Sequence, residues 1–261
     1  MALMPVLAIT SMKGGVGKTT ITLGLASAAQ HRGDRVLVID LDPQGNASMG
    51  LAVESFELTV GDVMADARPG VASDAIVVSP WGPTVHAIPA DLSLEHRSAD
   101  AGRYSAMRLR AGLASLPARY DTVIIDCPPS LGELTRNALT AADAAVVVAE
   151  PGYFALRGAE QALDAIEVIR STSNPALRTA TIVVNRARTT VADHRMRIAE
   201  LRDAYGHLVN ETMVPERNAI AQAEGAGVPI HRWDSPAGRE LSTVFDTLYA
   251  ALAPNGREHG R

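Results

Sequence analysis

The chain has 261 residues, which is enough for one α/β domain with a large core or for two small domains. Its net charge of −5 excludes a strongly basic protein, so any contact with nucleic acid must come from a local patch of arginines. The single cysteine, Cys127, excludes an internal disulfide and any paired-cysteine metal or iron–sulfur site within one chain.

Runs of Val, Ile, Leu and Ala predict buried strands that alternate with helical stretches. The predicted strands are 6–10, 35–40, 85–89, 122–126, 144–149, 179–185 and 211–215. The helical stretches are 18–30, 103–118, 134–142, 156–171, 195–205 and 239–252. This alternation predicts a single-domain α/β three-layer sandwich, with a mostly parallel, doubly wound sheet and helices on both faces. The domain is expected to span residues 1–253, and the tail 254–261 is expected to be disordered.

A glycine-rich segment lies between the first predicted strand and the first predicted helix, which is the context of a phosphate-binding loop. Its glycines let successive backbone N–H groups face one anion. Lys18 is expected to reach the β- and γ-phosphates of ATP, and the Thr19 hydroxyl to coordinate Mg²⁺. The predicted ATP-binding residues are Gly14, Gly15, Val16, Gly17, Lys18, Thr19 and Thr20. The alternative is a glycine-rich turn with incidental lysines. The order of strand, glycine-rich loop and helix favours a phosphate-binding loop instead.

This loop departs from the general pattern in one place. Met12 stands where the first glycine is usual, and a second lysine, Lys13, follows it. The combination is the deviant Walker A pattern.

Three aspartates end or follow predicted strands near this loop. Asp40 and Asp42 close the strand 35–40, and Asp126 closes the strand 122–126. The carboxyl ends of strands in a doubly wound sheet line the ligand crevice. Asp126 is the Walker B candidate for holding Mg²⁺ or one of its waters, and Asp42 is the candidate for orienting the attacking water. Asp40 is expected to touch Mg²⁺ through water or to brace the loop. A lone aspartate after a strand is more often a cap or turn residue, but three beside one loop favour function.

The sequence resembles the ParA/Soj family of partitioning ATPases over nearly the whole chain. The resemblance rests on residues 13–20, 40–48, 126–132, 137–139, 153–158, 214–215 and 227–230. It implies an ATP hydrolase that uses ATP and Mg²⁺ and is slow until a partner stimulates it. It also implies a cytoplasmic, nucleoid-associated protein.

The resemblance further implies an ATP-dependent homodimer. Lys13, the signature lysine, would cross the dimer interface and touch the partner's phosphates, as an arginine finger does. The closed dimer would present a composite basic face to nonspecific DNA. A ParB-like protein or a cargo adaptor would then stimulate hydrolysis. The alternative for Lys13 is a solvated loop lysine.

Base and DNA contacts can also be assigned through the resemblance. The resemblance assigns adenine recognition to Asn185, with Pro215 lining the base pocket. DNA contact falls on Arg188, with Arg186 and Arg217 as further candidates.

The sequence departs from the family pattern on this surface. Glu216 and Ala219 stand where Soj-like members usually carry arginines, and Gly152 replaces a glutamate common before Tyr153. These departures argue against a full DNA surface and point to a non-chromosomal or orphan member of the family.

Three other functions use related chemistry. A MinD-like membrane-cycling ATPase needs a basic amphipathic C-terminal helix, whereas the helix 239–252 carries acids and few bases. An iron–sulfur carrier needs paired cysteines, and Cys127 stands alone. A ParA-type switch for a protein cargo is equally compatible with the sequence, because the partner determines the cargo. We therefore predict a dimerising switch ATPase that positions DNA or a cargo complex without contacting a membrane.

Overall fold

The computed structural model describes residues 5–66, 68–98, 102, 104–114, 116 and 119–252. The tail 254–261 and the predicted domain end at 253 lie outside these residues. In the described part of the chain, the strands are β1 (Val6–Thr10), β2 (Val36–Asp40), β3 (Val77–Val78), β4 (Val85–Ile88), β5 (Thr122–Asp126), β6 (Ala144–Ala149) and β7 (Arg178–Val184). They form one sheet in the order β3-β4-β2-β5-β1-β6-β7, in which only β3 is antiparallel. The predicted doubly wound sheet is therefore confirmed.

Helices cover both faces of this sheet. They are α1 (Lys18–Arg32), α2 (Asn46–Gly50), α3 (Val60–Ala65), α4 (Val71–Asp74), α5 (Glu95–Ser98), α6 (Arg108–Leu113), α7 (Glu133–Ala141), α8 (Ala155–Thr172), α9 (Ala192–Tyr205), α10 (Asn218–Gly225) and α11 (Pro236–Leu252). Helices α1, α10 and α11 pack on one face, and α3, α6, α7, α8 and α9 pack on the other. Every residue of β2, β5 and β6 is buried. Continuous Val, Ile and Ala runs meet that requirement, because both faces of a parallel sheet are covered.

The helix that follows the glycine-rich loop packs very closely against the C-terminal helix. A Cβ atom on Gly24 of α1 would lie 2.1 Å from the ring of Phe245 in α11. Phe245 is itself buried. Because only glycine leaves room for this ring, α1 and α11 act as one packed unit.

Two predicted elements differ from the structure. Residues 211–215 do not form a strand: Val214 donates one hydrogen bond to Val184, and Pro215 makes an isolated bridge to Ala187. Proline has no N–H with which to extend a ladder. The predicted helix 103–118 is shorter, because a 3₁₀ turn at Ser105–Met107 leads into α6, which ends at Leu113.

Candidate nucleotide site

The loop between β1 and α1 has the backbone of an anion cradle. Gly15 and Gly17 have φ angles of 79° and 91°, in the left-handed region that favours glycine. Gly17 is also crowded, since a Cβ there would lie 2.1 Å from Nδ2 of Asn185. Helix α1 begins at this glycine without a side-chain cap, so its first N–H groups have no capping side chain. An anion at this helix start would meet those donors.

The two lysines of the loop have opposite surroundings. Lys18 is buried and begins α1, whereas 52% of the Lys13 side chain is exposed. Nζ of Lys13 lies 3.7 Å from the Glu150 carboxylate. These are the only lysines among the 261 residues, although the chain carries many arginines. The loop thus holds one lysine directed inward and one available to solvent.

Asp126 is fully buried at the end of β5 and faces the start of α1. It accepts hydrogen bonds from Thr19, at 2.7 Å, and from Thr22, at 2.9 Å. Burial raises the pKa of the Asp126 carboxyl, and the neighbouring charge of Asp40 raises it further, while the two threonine hydroxyls and Lys18 oppose the shift. A cation would favour the ionised carboxylate. The carboxylate and hydroxyl oxygens gathered here are ligands that suit Mg²⁺.

Asp40 ends β2 directly beside Asp126 in the sheet register. Its carboxylate accepts hydrogen bonds from the backbone N–H and the hydroxyl of Ser48, both at 2.8 Å, and from the N–H of Asp42 at 3.1 Å. Burial raises the pKa of Asp40, against these hydrogen bonds. The contacts hold residues 42–48 against the end of the strand. A direct role of Asp40 in binding Mg²⁺ stays a prediction.

Asp42 lies in the turn between β2 and α2 and is 8% exposed. One of its carboxylate oxygens accepts a hydrogen bond from the N–H of Gln44 at 3.0 Å, which fixes the turn. Cys127 lies behind these groups and is fully buried. Burial raises the pKa of its thiol, and the charges of Asp126 and Asp42 raise it further. Cys127 is therefore a packed core residue with no nucleophilic thiolate.

Asn185 contacts the glycine-rich loop directly. Its Nδ2 donates to the carbonyl of Val16 at 2.7 Å. Its Oδ1 is buried and has no hydrogen-bond partner among the described residues. Pro215 instead lines a cavity of about 340 Å³ together with Arg188, Arg217 and Glu240. The structure places these two predicted base contacts in different surroundings, so adenine recognition by both stays a prediction.

The space beside the loop is bounded by α2 and α10. A cavity of about 560 Å³ is lined by Thr19, Asn46, Glu54 and residues 224–227. Burial raises the pKa of the Glu224 carboxyl, and the nearby Thr20 hydroxyl and Arg186 charge oppose the rise. Glu224 was not anticipated from the sequence, since nothing in its local pattern connects it to the loop.

Each of the three predicted DNA-binding arginines is paired with a carboxylate. Arg188 contacts Glu216, and Arg217 makes two 2.8 Å hydrogen bonds to Glu240. Arg186 lies 3.8 Å from Glu150, the same carboxylate that Lys13 approaches. The three pairs are exposed to solvent and partly neutralise the surface that these arginines form.

A family model and two related proteins match most of this chain. Residues 4–179 match a family model described as an AAA domain. The chromosome partitioning protein ParA of Caulobacter vibrioides is 38% identical over 240 residues, covering 88% of this chain and 87% of that protein. The sporulation initiation inhibitor protein Soj of Bacillus subtilis is 34% identical over 257 residues, covering 96% and 99%.

A solved structure extends the likeness to three dimensions. The cobyrinic acid a,c-diamide synthase of Mycobacterium smegmatis, with bound ADP and magnesium, is 31% identical and has a TM-score of 0.75, covering 92% of this chain and 93% of that one. Among the described residues of our chain, no helix is both long and apolar enough to cross a bilayer. Motifs, fold and relatives agree, and the chain belongs to the ParA/Soj family of P-loop partitioning ATPases.

Proposed function

We propose that this chain is an ATP- and Mg²⁺-dependent switch ATPase that dimerises with ATP and positions DNA or a cargo complex. The observation that carries the proposal is the contrast between the two loop lysines, Lys18 buried at the start of α1 and Lys13 exposed beside it. One cation suits the phosphates in its own site, and the other can reach a second protomer. The ADP and magnesium in the structure that is 31% identical support the choice of nucleotide.

The residues of one protomer form the binding half of the site. Lys18 and the uncapped start of α1 bind and orient the phosphates. Thr19 and Asp126 hold Mg²⁺, which supplies positive charge to the phosphate oxygens when bound. Asp42, in the turn after β2, orients the water for in-line attack on the γ-phosphorus. Hydrolysis stays slow while no group from a partner completes this arrangement.

Lys13 provides the completing group from the opposite protomer. In the monomer its nearest acidic contact is Glu150, at the outer limit of an ion pair and partly exposed. Such pairs contribute little, about 0–1 kcal/mol, so Lys13 can leave Glu150 at little cost. A triphosphate in the facing protomer offers a denser negative charge. Dimerisation therefore follows ATP binding and reverses after hydrolysis.

DNA binding by the closed dimer uses Arg186, Arg188 and Arg217 in contacts to phosphates alone. Two copies of a weak patch add their contributions, which explains how a chain of net charge −5 can bind a polyanion. Glu216 and Glu240 reduce the available charge, so the affinity is low and strongly dependent on salt.

These same ion pairs favour a second candidate, a switch that positions a protein cargo and uses DNA only weakly. The buried apolar side of α11 argues against membrane cycling by this helix. Its side chains Leu241, Phe245, Leu248 and Tyr249 are buried in the core. The lone buried Cys127 argues against an iron–sulfur carrier.

A nucleotide series tests the proposal. DNA binding is measured by fluorescence anisotropy with ATP, with ADP and without nucleotide, across a salt series, while sedimentation velocity reports the oligomeric state. We expect a dimer and salt-sensitive DNA binding with ATP alone. A dimer that forms with ATP but does not bind DNA supports the protein-cargo function. A chain that binds no Mg-ATP in calorimetry contradicts both.

A further inference from the structure

Two histidines and an aspartate meet on the face of the molecule where α1 and α11 pack together. His31 lies in the last turn of α1, His231 lies in a 3₁₀ turn at Ile230–Arg232, and Asp246 lies in α11. Each residue offers one ligand atom, and these three atoms all lie within 4.8 Å of one another. None of the three takes part in the nucleotide site described above.

We propose that His31, His231 and Asp246 form a binding site for a transition-metal dication of the Zn²⁺ class. Two imidazole nitrogens and one carboxylate oxygen are a common ligand set for Zn²⁺, with a fourth position left to water. The fourth position is accessible here, because 60% of the His31 side chain and 42% of the Asp246 side chain are exposed.

Two of the three distances between ligand atoms fit a tetrahedral site. Bonds of the length usual for zinc place two ligand atoms about 3.3 Å apart along a tetrahedral edge. Asp246 lies 3.3 Å from Nδ1 of His31 and 3.0 Å from Nε2 of His231. The two rings stack with their centroids 4.6 Å apart. The ligand atoms of the two histidines lie no more than 4.8 Å apart, and rotation of the exposed His31 ring would bring them to the length of a tetrahedral edge.

His231 is held in the orientation that a ligand needs. Its Nδ1 lies 2.7 Å from the hydroxyl of Ser27, a buried residue of α1, and its Nε2 is directed at Asp246. A second hydrogen bond of this kind usually fixes the tautomer of a metal-binding histidine. Burial lowers the pKa of His231, although Asp246 opposes the shift, and this favours the neutral ring that binds a metal.

The electrostatic setting also favours a cation. Helix α1 ends at Arg32, one residue after His31, and the C-terminal end of a helix carries partial negative charge. Asp246 adds a full negative charge. The site lies 13 residues along α1 from Lys18, which corresponds to roughly 20 Å. A metal here would tie α1 to α11 without competing with the nucleotide.

The same contacts can exist as plain hydrogen bonds between one carboxylate and two imidazoles. A measurement of metal uptake distinguishes a metal site from such a hydrogen-bonded cluster. Full-length protein without an affinity tag is dialysed against Zn²⁺ in an excess of Mg²⁺, which competes for the oxygens of Thr19 and Asp126. Co²⁺ uptake is followed by its visible absorption. The variants are His31→Ala and Asp246→Asn, with His207→Ala, an exposed histidine outside this cluster, as the matched control.

We expect wild type and His207→Ala to bind about one Zn²⁺ per chain and to show the spectrum of tetrahedral Co²⁺. A hundredfold excess over Kd should raise their Tm by about 5–10 °C. His31→Ala and Asp246→Asn should fold normally and lose at least about 100-fold in affinity, more than a lost second-shell contact costs. Equal uptake by all four proteins, no uptake by wild type, or displacement of zinc by Mg-nucleotide would overturn the proposal.

Discussion

The phosphate loop and the arginine surface differ in how their charges are arranged. At the loop, Lys18 is buried at the start of α1, and Asp126 ends β5, the strand that pairs with β1. On the arginine surface, each predicted cation meets a carboxylate from another segment, as Arg217 meets Glu240. A local motif therefore places both lysines of the first region. The charge of the second region depends on residues that no local motif includes.

Removing the buried lysine should have the largest effect. Lys18→Ala leaves the phosphate oxygens without their main cationic partner in the same chain, so we expect ATP turnover to fall by at least about 100-fold. Thermal unfolding should change little without nucleotide. Arg170→Ala, which removes an exposed cation on α8, serves as the control and should keep full turnover. Retention of substantial turnover by Lys18→Ala would mean that the loop does not bind the phosphates.

Asp126→Asn should raise the stability of the fold at neutral pH and lower ATP turnover. The folded-state pKa of Asp126 is raised above its ordinary value of 3.8, so ionising this carboxyl costs folding free energy as pH rises. The variant should match wild type in stability near pH 4. Its advantage over wild type should develop between about pH 4 and pH 7 and level off above that, since the rise of the Asp126 pKa to about 7 corresponds to at most about 4 kcal/mol.

Turnover of Asp126→Asn should fall by about 100-fold, because the neutral amide binds Mg²⁺ poorly. Urea unfolding across pH and ATPase assays measure the two effects. A variant less stable than wild type at neutral pH would show that the buried carboxylate is not a cost to the fold.

Neutralising the acids of the arginine surface should strengthen DNA binding. Glu216→Gln and Glu240→Gln release Arg188 and Arg217 from their ion pairs. We expect the ATP-bound dimer to gain about 3–10-fold in DNA affinity, with a salt slope steeper by about one per released arginine. Glu167→Gln, which releases Arg170 on α8, is the matched control and should change neither quantity. If the double variant still ignores DNA, the arginines do not form the DNA surface.

Releasing Lys13 should have the smallest effect. Glu150→Gln removes the carboxylate shared by Lys13 and Arg186 in the monomer. Because exposed pairs contribute about 0.2–1 kcal/mol, we expect the ATP-dependent dimer to tighten by about 1.5–5-fold. Sedimentation equilibrium measures the change. A weaker dimer would mean that Glu150 itself lies in the interface.

The sequence was sufficient for the features that depend on local pattern. Buried Val and Ile runs predicted β2 and β5 to within a residue, and the glycine and lysine spacing placed the loop between β1 and α1. It missed β3, whose two residues form too short a run to show a period. It also missed α3, although Thr59 and Asp62 carry the spacing of a capping box, which the structure contains.

The contacts that complete the site lie far apart in the chain. Thr22 could have been anticipated, because it lies three residues after Thr19 on the same side of α1 and both contact Asp126. Glu150 could not, since its contacts to Lys13 and Arg186 depend on how β6 and β7 end at the same edge of the sheet. Tertiary packing, rather than residue type, determines which cations remain available.

Mixing two inactive variants tests the central claim most directly. The Lys13→Ala protomer retains its own Asp42. The Asp42→Ala protomer retains a Lys13 that can enter the site of its partner. If Lys13 acts across the interface, each is inactive separately, and an equal mixture recovers up to about a quarter of wild-type turnover, from one complete site in each mixed dimer. If Lys13 acts within its own protomer, the mixture stays as inactive as its components, and that result would contradict the account.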